Sequence, residues 1–206
     1  MNQRTVHVAV YDTYADWEVG HAAAHIRNGD FQIEPGRYGV RTVGPTTAPV
    51  TSMGGLRVLP DLALADLDPA DSAMLILPGA AAWDESPETL APFARTARAF
   101  IDAAVPVAAI CGGTAGLARE GLLDARPHTS AVADYLAATG YAGGGHYRDA
   151  DAVRADGVIT AGPTDQVAFA REVFAELGLY RPEVLDAWFR LFARSDPSAF
   201  GVLASA

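Results

Sequence analysis

The chain has 206 residues, 50% of them hydrophobic, and a formal charge of −10 from 15 basic and 25 acidic side chains. A surface of that sign repels nucleic acid and anionic lipid, so neither is expected as a partner and a small-molecule substrate remains. The single cysteine cannot form an intramolecular disulfide. The amino terminus lacks the apolar stretch of a secretory signal, and no apolar run approaches the ~18 residues of a membrane span, so a cytoplasmic protein without membrane association is expected.

Hydrophobic periodicity sets out alternating strands and helices along one domain, residues 1–206. The run 6–11 (VHVAVY) reads as a strand, and Asp16 opens a helix that continues to Asn28 and stops at Gly29. Segments 38–43 and 56–59 read as short strands joined through Pro45, Pro49, Gly54 and Gly55, which suits an antiparallel addition. Residues 73–77 (AMLIL) form a continuous apolar run, as expected of a strand buried on both faces, and Pro78-Gly79 end it.

A helix with Leu90, Phe93 and Ala97 on one stripe follows over 87–103, capped by Ser86. Residues 106–110 (PVAAI) make another buried strand, and Cys111-Gly112-Gly113-Thr114 turns directly into a helix ending near Gly121. Gly143-Gly144-Gly145 reads as a flexible loop and 157–160 as a strand; Thr164 or Asp165 caps the next helix. The amphipathic segment 183–194, with Leu185, Trp188, Phe189 and Phe192, closes the chain. Strands alternating with helices predict an α/β fold, a three-layer, doubly wound, mostly parallel sheet with helices on both faces.

In such sheets ligands gather beyond the carboxyl ends of the strands, where Glu18, Gly79 and Cys111 all fall. A nucleophile elbow needs small residues two positions either side of its apex, and Ala109 and Gly113 flank Cys111 at that spacing. A thiolate there faces the positive end of the following helix, which favours ionisation. The amides of Gly112 and of Gly79 or Ala80 are candidates to hold a developing oxyanion. A lone cysteine can equally be a small core residue, and Glu18 can be a first-turn acid complementing a helix dipole. The glycine-rich turn has neither a P-loop lysine nor a dinucleotide fingerprint, so no cofactor is expected. His21 and His25 lie one helical turn apart without a cysteine or carboxylate cluster to complete a metal site, and His7 lies within a strand.

The segment AAICGGTAGLAREGLLD, the LILPGA strand end, Glu18 after the first strand, and the later GGHY and AGPT segments together resemble the ThiJ/PfpI family, with its class I glutamine amidotransferase-like, flavodoxin-like fold. The resemblance covers nearly the whole chain. Asp16-Trp17-Glu18, Trp83 after PGAAA, and His128-Thr129-Ser130 after LLDAR resemble its intracellular protease/amidase-like branch, that of YdeA. The resemblance implies Cys111 as nucleophile, Glu18 as its hydrogen-bond partner, oxyanion amides at Gly79 and Gly112, and a homodimer. Trp83, His128 and Ser130 are the implied pocket residues, with His128 or Ser130 facing the thiol.

Protease-type members carry histidine after the cysteine, where this chain has Gly112, which argues against peptide hydrolysis. His146 is followed by Tyr147-Arg148 rather than by the His-x-Glu of glutaminase domains. Because an ionised carboxylate opposes a thiolate beside it, the Cys111–Glu18 pair requires Glu18 to be protonated through burial. The expected function is a cysteine-dependent hydrolase, glyoxalase-type lyase or hydratase of a small electrophilic substrate. The alternative is a non-catalytic redox or stress-response protein using the same cysteine.

Overall fold

The computed structural model describes residues 3–206. In chain order the elements are β1 (Arg4–Ala9), α1 (Asp16–Asn28), β2 (Tyr38–Gly44), β3 (Val50–Thr51), β4 (Arg57–Val58), β5 (Leu62–Ala63), β6 (Ser72–Leu77), α2 (Ala82–Glu85) and α3 (Pro87–Asp102). There follow β7 (Val107–Ile110), α4 (Gly112–Arg119), α5 (Ala133–Ala137), β8 (Ala152–Ala155), β9 (Val158–Ala161), α6 (Gln166–Leu177), α7 (Pro182–Arg194) and α8 (Phe200–Leu203). The sheet runs β5-β2-β1-β6-β7-β9-β8. Every neighbouring pair in it is parallel except β8 with β9.

Alternation along each strand divides the core into two layers. Val6, Val8, Met74, Ile76, Ala108 and Ile110 face α1, α6 and α7, whereas Ala9, Leu75, Leu77, Val107 and Ala109 face α3 and α4. The alternation follows from the two-residue period of a pleated strand, and the continuous apolar runs follow from covering both faces. Phe93, Phe100, Phe169 and Phe174 lie across these layers at no more than 1% exposure, and burying a side chain of that size contributes roughly 1.5–3 kcal/mol.

Several local expectations are corrected. Segment 38–43 is not an antiparallel addition: β2 pairs parallel with β1, because α1 crosses over the sheet between them. Segment 56–59 supplies only β4, which pairs with β3 in a separate two-stranded ribbon. Ser86 and Asp165 occupy helix N-cap positions, yet neither side chain makes a capping hydrogen bond. The Gly143-Gly144-Gly145 segment is a 3-10 turn rather than a slack loop. Gly143 is fixed by packing, since a β-carbon there would lie 2.4 Å from the Leu123 carbonyl oxygen.

Candidate functional site

The strand order reverses between β1 and β6: β2 follows β1 on one side, while β6, β7 and β9 follow on the other. That reversal opens a crevice above the carboxyl ends of the strands, the usual ligand position in an open α/β sheet. Three chain segments meet there. α1 brings Glu18, the turn after β6 brings Gly79, and the turn after β7 brings Cys111.

Cys111 has φ 54° and ψ −125°, a region that side-chain-bearing residues rarely enter and that costs roughly 1–3 kcal/mol. The surroundings hold it there. Its amide donates to the Ala161 carbonyl at 3.0 Å, and its own carbonyl accepts from the Thr114 amide at 3.0 Å and the Thr114 hydroxyl at 2.6 Å. Gly113 allows the turn because α4 comes down directly onto β6; a β-carbon would stand 2.4 Å from the Leu77 carbonyl oxygen.

Glu18 is fully buried, and its Oε2 accepts the Gly79 amide at 2.7 Å. A β-carbon on Gly79 would lie 3.0 Å from Glu18 Oε2 and 3.1 Å from Cys111 Sγ, so a side chain there would press the carboxyl and the thiol aside. Glu18 Oε1 is buried without a hydrogen-bond partner. Burial pushes the Glu18 carboxyl up to about 7, opposed by the Gly79 amide and the contact with Cys111. The direction is the one required from sequence, but a carboxyl at about 7 is only about half protonated near neutrality, so an ionised fraction is left that can accept a proton.

The thiol behaves otherwise. Burial, then the charge of Glu18 and its contact with the sulfur, push Cys111 up to about 12, against a smaller lowering by the Gly112 amide. The expected depression at a helix amino terminus is therefore overruled, because desolvation and a neighbouring carboxylate both disfavour a second negative charge. When Glu18 is protonated the repulsion disappears, so the two groups titrate as a pair.

The structure brings together Cys111, Glu18, Gly79 and Gly112, with Ala80 beside them in an isolated bridge to Tyr14. The Gly79 amide is already engaged by Glu18, which leaves Ala80 and Gly112 as the amides to consider for an anion. Trp83 is not a pocket wall. It is 1% exposed, its indole N–H donates to the Tyr11 hydroxyl at 3.1 Å and the Pro78 carbonyl at 3.0 Å, and its ring fills the space above Gly112 and Gly116. It props the elbow.

His128 does not face the thiol either. Fully buried, it spans from the Arg126 carbonyl (Nδ1, 2.7 Å) to the Tyr141 hydroxyl (Nε2, 3.0 Å), so both ring nitrogens are committed to holding their own loop. Ser130 lies 2.7 Å from the Thr114 hydroxyl and thus supports the Cys111 carbonyl at one remove. His21 and His25 stack on each other and pack edge-on to Trp188 and Phe192 of α7. Sequence reasoning missed Asp84 and Tyr135, joined by a 2.8 Å hydrogen bond between α2 and α5; two isolated polar residues 51 positions apart leave no local signal.

The sequence pattern of the DJ-1/PfpI family matches residues 4–176. The chain belongs to the DJ-1/PfpI family. It is 32% identical to YoaZ of Bacillus subtilis, named an uncharacterized protease, over 97% of this chain and 96% of that one. It is 28% identical to YdeA of the same organism, also named an uncharacterized protease, over 86% of this chain and 85% of that one. The crystal structure of a ThiJ/PfpI family protein from Bacillus anthracis superposes with a TM-score of 0.89 at 31% identity, covering 100% of this chain and 98% of that one. Among the described residues, no helix of this DJ-1/PfpI protein is long and apolar enough to cross a membrane.

Proposed function

We propose that this DJ-1/PfpI protein is a cysteine-dependent enzyme in which Cys111 adds to an electrophilic carbon of a small substrate and Glu18 receives the thiol proton. The observation that carries the reading is a fully buried carboxyl, poised at about 7 and with one oxygen unpartnered, beside a thiol held on a positive-φ elbow. A general base works best when its pKa lies near the ambient pH. In the addition, the sulfur–carbon bond forms as the S–H proton passes to Glu18, and the electron pair of the carbonyl or related double bond moves to its heteroatom. The Gly112 and Ala80 amides are the groups proposed to meet that charge. Glu18 then returns its proton to the leaving group or to the adduct; a water that Glu18 deprotonates adds to the same carbon, the sulfur–carbon bond breaks, and the thiol recovers its proton from Glu18, which leaves the hydrolysed or hydrated product.

The redox alternative needs a resting thiolate, since the thiolate is the species that oxidises readily. Burial and the charge of Glu18 both push the Cys111 thiol up and so favour its protonated form, and a base that acts only as the bond forms suits turnover better than sensing. Gly112 in place of the protease-type histidine keeps peptides out of the reading. A cytoplasmic, homodimeric protein belongs to the same proposal: a reducing compartment protects the one thiol. The exposed Trp17, Met53 and Leu56 offer apolar surface to a second copy, while Trp188 of α7 is consumed inside the fold.

The test is a screen of methylglyoxal, simple amides and isonitriles with wild type, Cys111→Ala and Glu18→Gln. Turnover of one class that vanishes in Cys111→Ala and falls by roughly 100-fold or more in Glu18→Gln is the expected result. Turnover that survives Cys111→Ala overturns the reading.

A further inference from the structure

Asp84 of α2 and Tyr135 of α5 meet beside α4. Trp83 lies against the start of α4, its Cβ 3.1 Å from where a β-carbon on Gly112 would stand. Asp84, the next residue, is therefore held beside the amino-terminal end of the helix that Cys111 caps. Tyr135 of α5 reaches across and donates its hydroxyl to Asp84 Oδ1 at 2.8 Å. α5 packs on α4, and Arg119 near the far end of α4 donates to the Trp83 carbonyl at 2.9 Å. The three helices form a ring that the Tyr135–Asp84 hydrogen bond closes.

Burial is the main cause that raises both the Cys111 thiol and the Tyr135 hydroxyl, and smaller charge contributions couple Asp84 to Cys111 and Cys111 to Tyr135, as between groups near one another. The bond itself is open to change. Asp84 is exposed, Tyr135 is half-buried, and residues 131–134 leading into it are exposed, with Val132 at 58%. Water competes for a hydrogen bond made to an exposed carboxylate, so this one is enough to bias a short helix but not to weld it.

We propose that Tyr135, fixed by Asp84, is a specificity-determining residue of the Cys111 site, a bar across its mouth that admits narrow ligands and turns away bulky ones. The proposal rests on the reading of Cys111 as the reacting group, but its test depends on no substrate. Second-order rates of Cys111 alkylation are measured with iodoacetamide and with the bulky, uncharged N-(1-pyrenyl)maleimide on wild type, Tyr135→Ala, Tyr135→Phe and Asp84→Asn. The quantity read is the ratio of the bulky to the small reagent, which cancels any change in thiol ionisation. Val184→Ala, a cavity in the core layer away from Trp83 and Tyr135, serves as the control for general loosening.

Tyr135→Ala is expected to raise the ratio roughly tenfold, with Tyr135→Phe and Asp84→Asn moving it the same way by about two- to fivefold. An unchanged ratio in all three variants, or an equal rise in Val184→Ala, overturns the bar. Should Tyr135→Ala fail to fold, the two conservative variants decide alone. If the substrate screen instead shows turnover surviving Cys111→Ala, the proposed function falls, whatever the ratio does.

Discussion

Replacing Glu18 by Gln keeps the side chain's shape and an acceptor for the Gly79 amide while removing the ionisable group, so it isolates the effect of burying a carboxyl. The folded-state pKa is raised from 4.5 to about 7, chiefly by desolvation. The native state thus holds this proton more tightly than the unfolded chain. That favourable contribution is complete below 4.5 and is lost as the pH rises through about 7. At 1.36 kcal/mol per pKa unit, the ionised carboxylate at pH 8 costs about 3 kcal/mol relative to a neutral side chain. Urea unfolding of wild type and Glu18→Gln at pH 4.5, 6 and 8 reads this directly. The two proteins should have nearly equal stability at pH 4.5, and Glu18→Gln should be more stable by about 3 kcal/mol at pH 8. A stability difference that does not change between those pH values refutes the buried, raised carboxyl and with it the proposed base.

The same variant should alter the thiol. Without the neighbouring charge, Cys111 in Glu18→Gln should be alkylated by iodoacetamide roughly tenfold faster at pH 8 than in wild type; equal rates would show that burial alone raises the thiol. Gly113→Ala places a β-carbon 2.4 Å from the Leu77 carbonyl oxygen. It should cost ~2–4 kcal/mol in urea unfolding, since neither backbone can yield, and a loss below ~0.5 kcal/mol would mean that α4 can slide on β6.

The layered fold was legible because continuous apolar runs such as 73–77 and 107–110 can be satisfied only between two helix layers, and their order fixes parallel pairing. The elbow was legible too, since Cys-Gly-Gly between such a strand and a helix leaves the chain little room to turn in any other way. For Glu18 the sequence carried only the condition that a carboxyl paired with the thiol must be buried and raised; the burial itself is tertiary.

What the sequence could not decide was how much each interaction weighs in three dimensions. A helix terminus argued for a depressed thiol, but the depth of the site and the distance to Glu18 are tertiary quantities, and they reversed the sign. His128 and Trp83 have the chemistry of site residues; only packing shows that one ties a loop together and the other supports a turn. Asp84 and Tyr135 lie in two short helices that carry no periodic signal, and they meet only when the chain closes around α4. The sequence by itself determined the layers and the position of the strand-to-helix turn at Cys111, because local periodicity and turn chemistry set these. The protonation of the pair and the identity of the residues around it were decided by tertiary structure, because desolvation and side-chain contact exist only between segments brought together from afar.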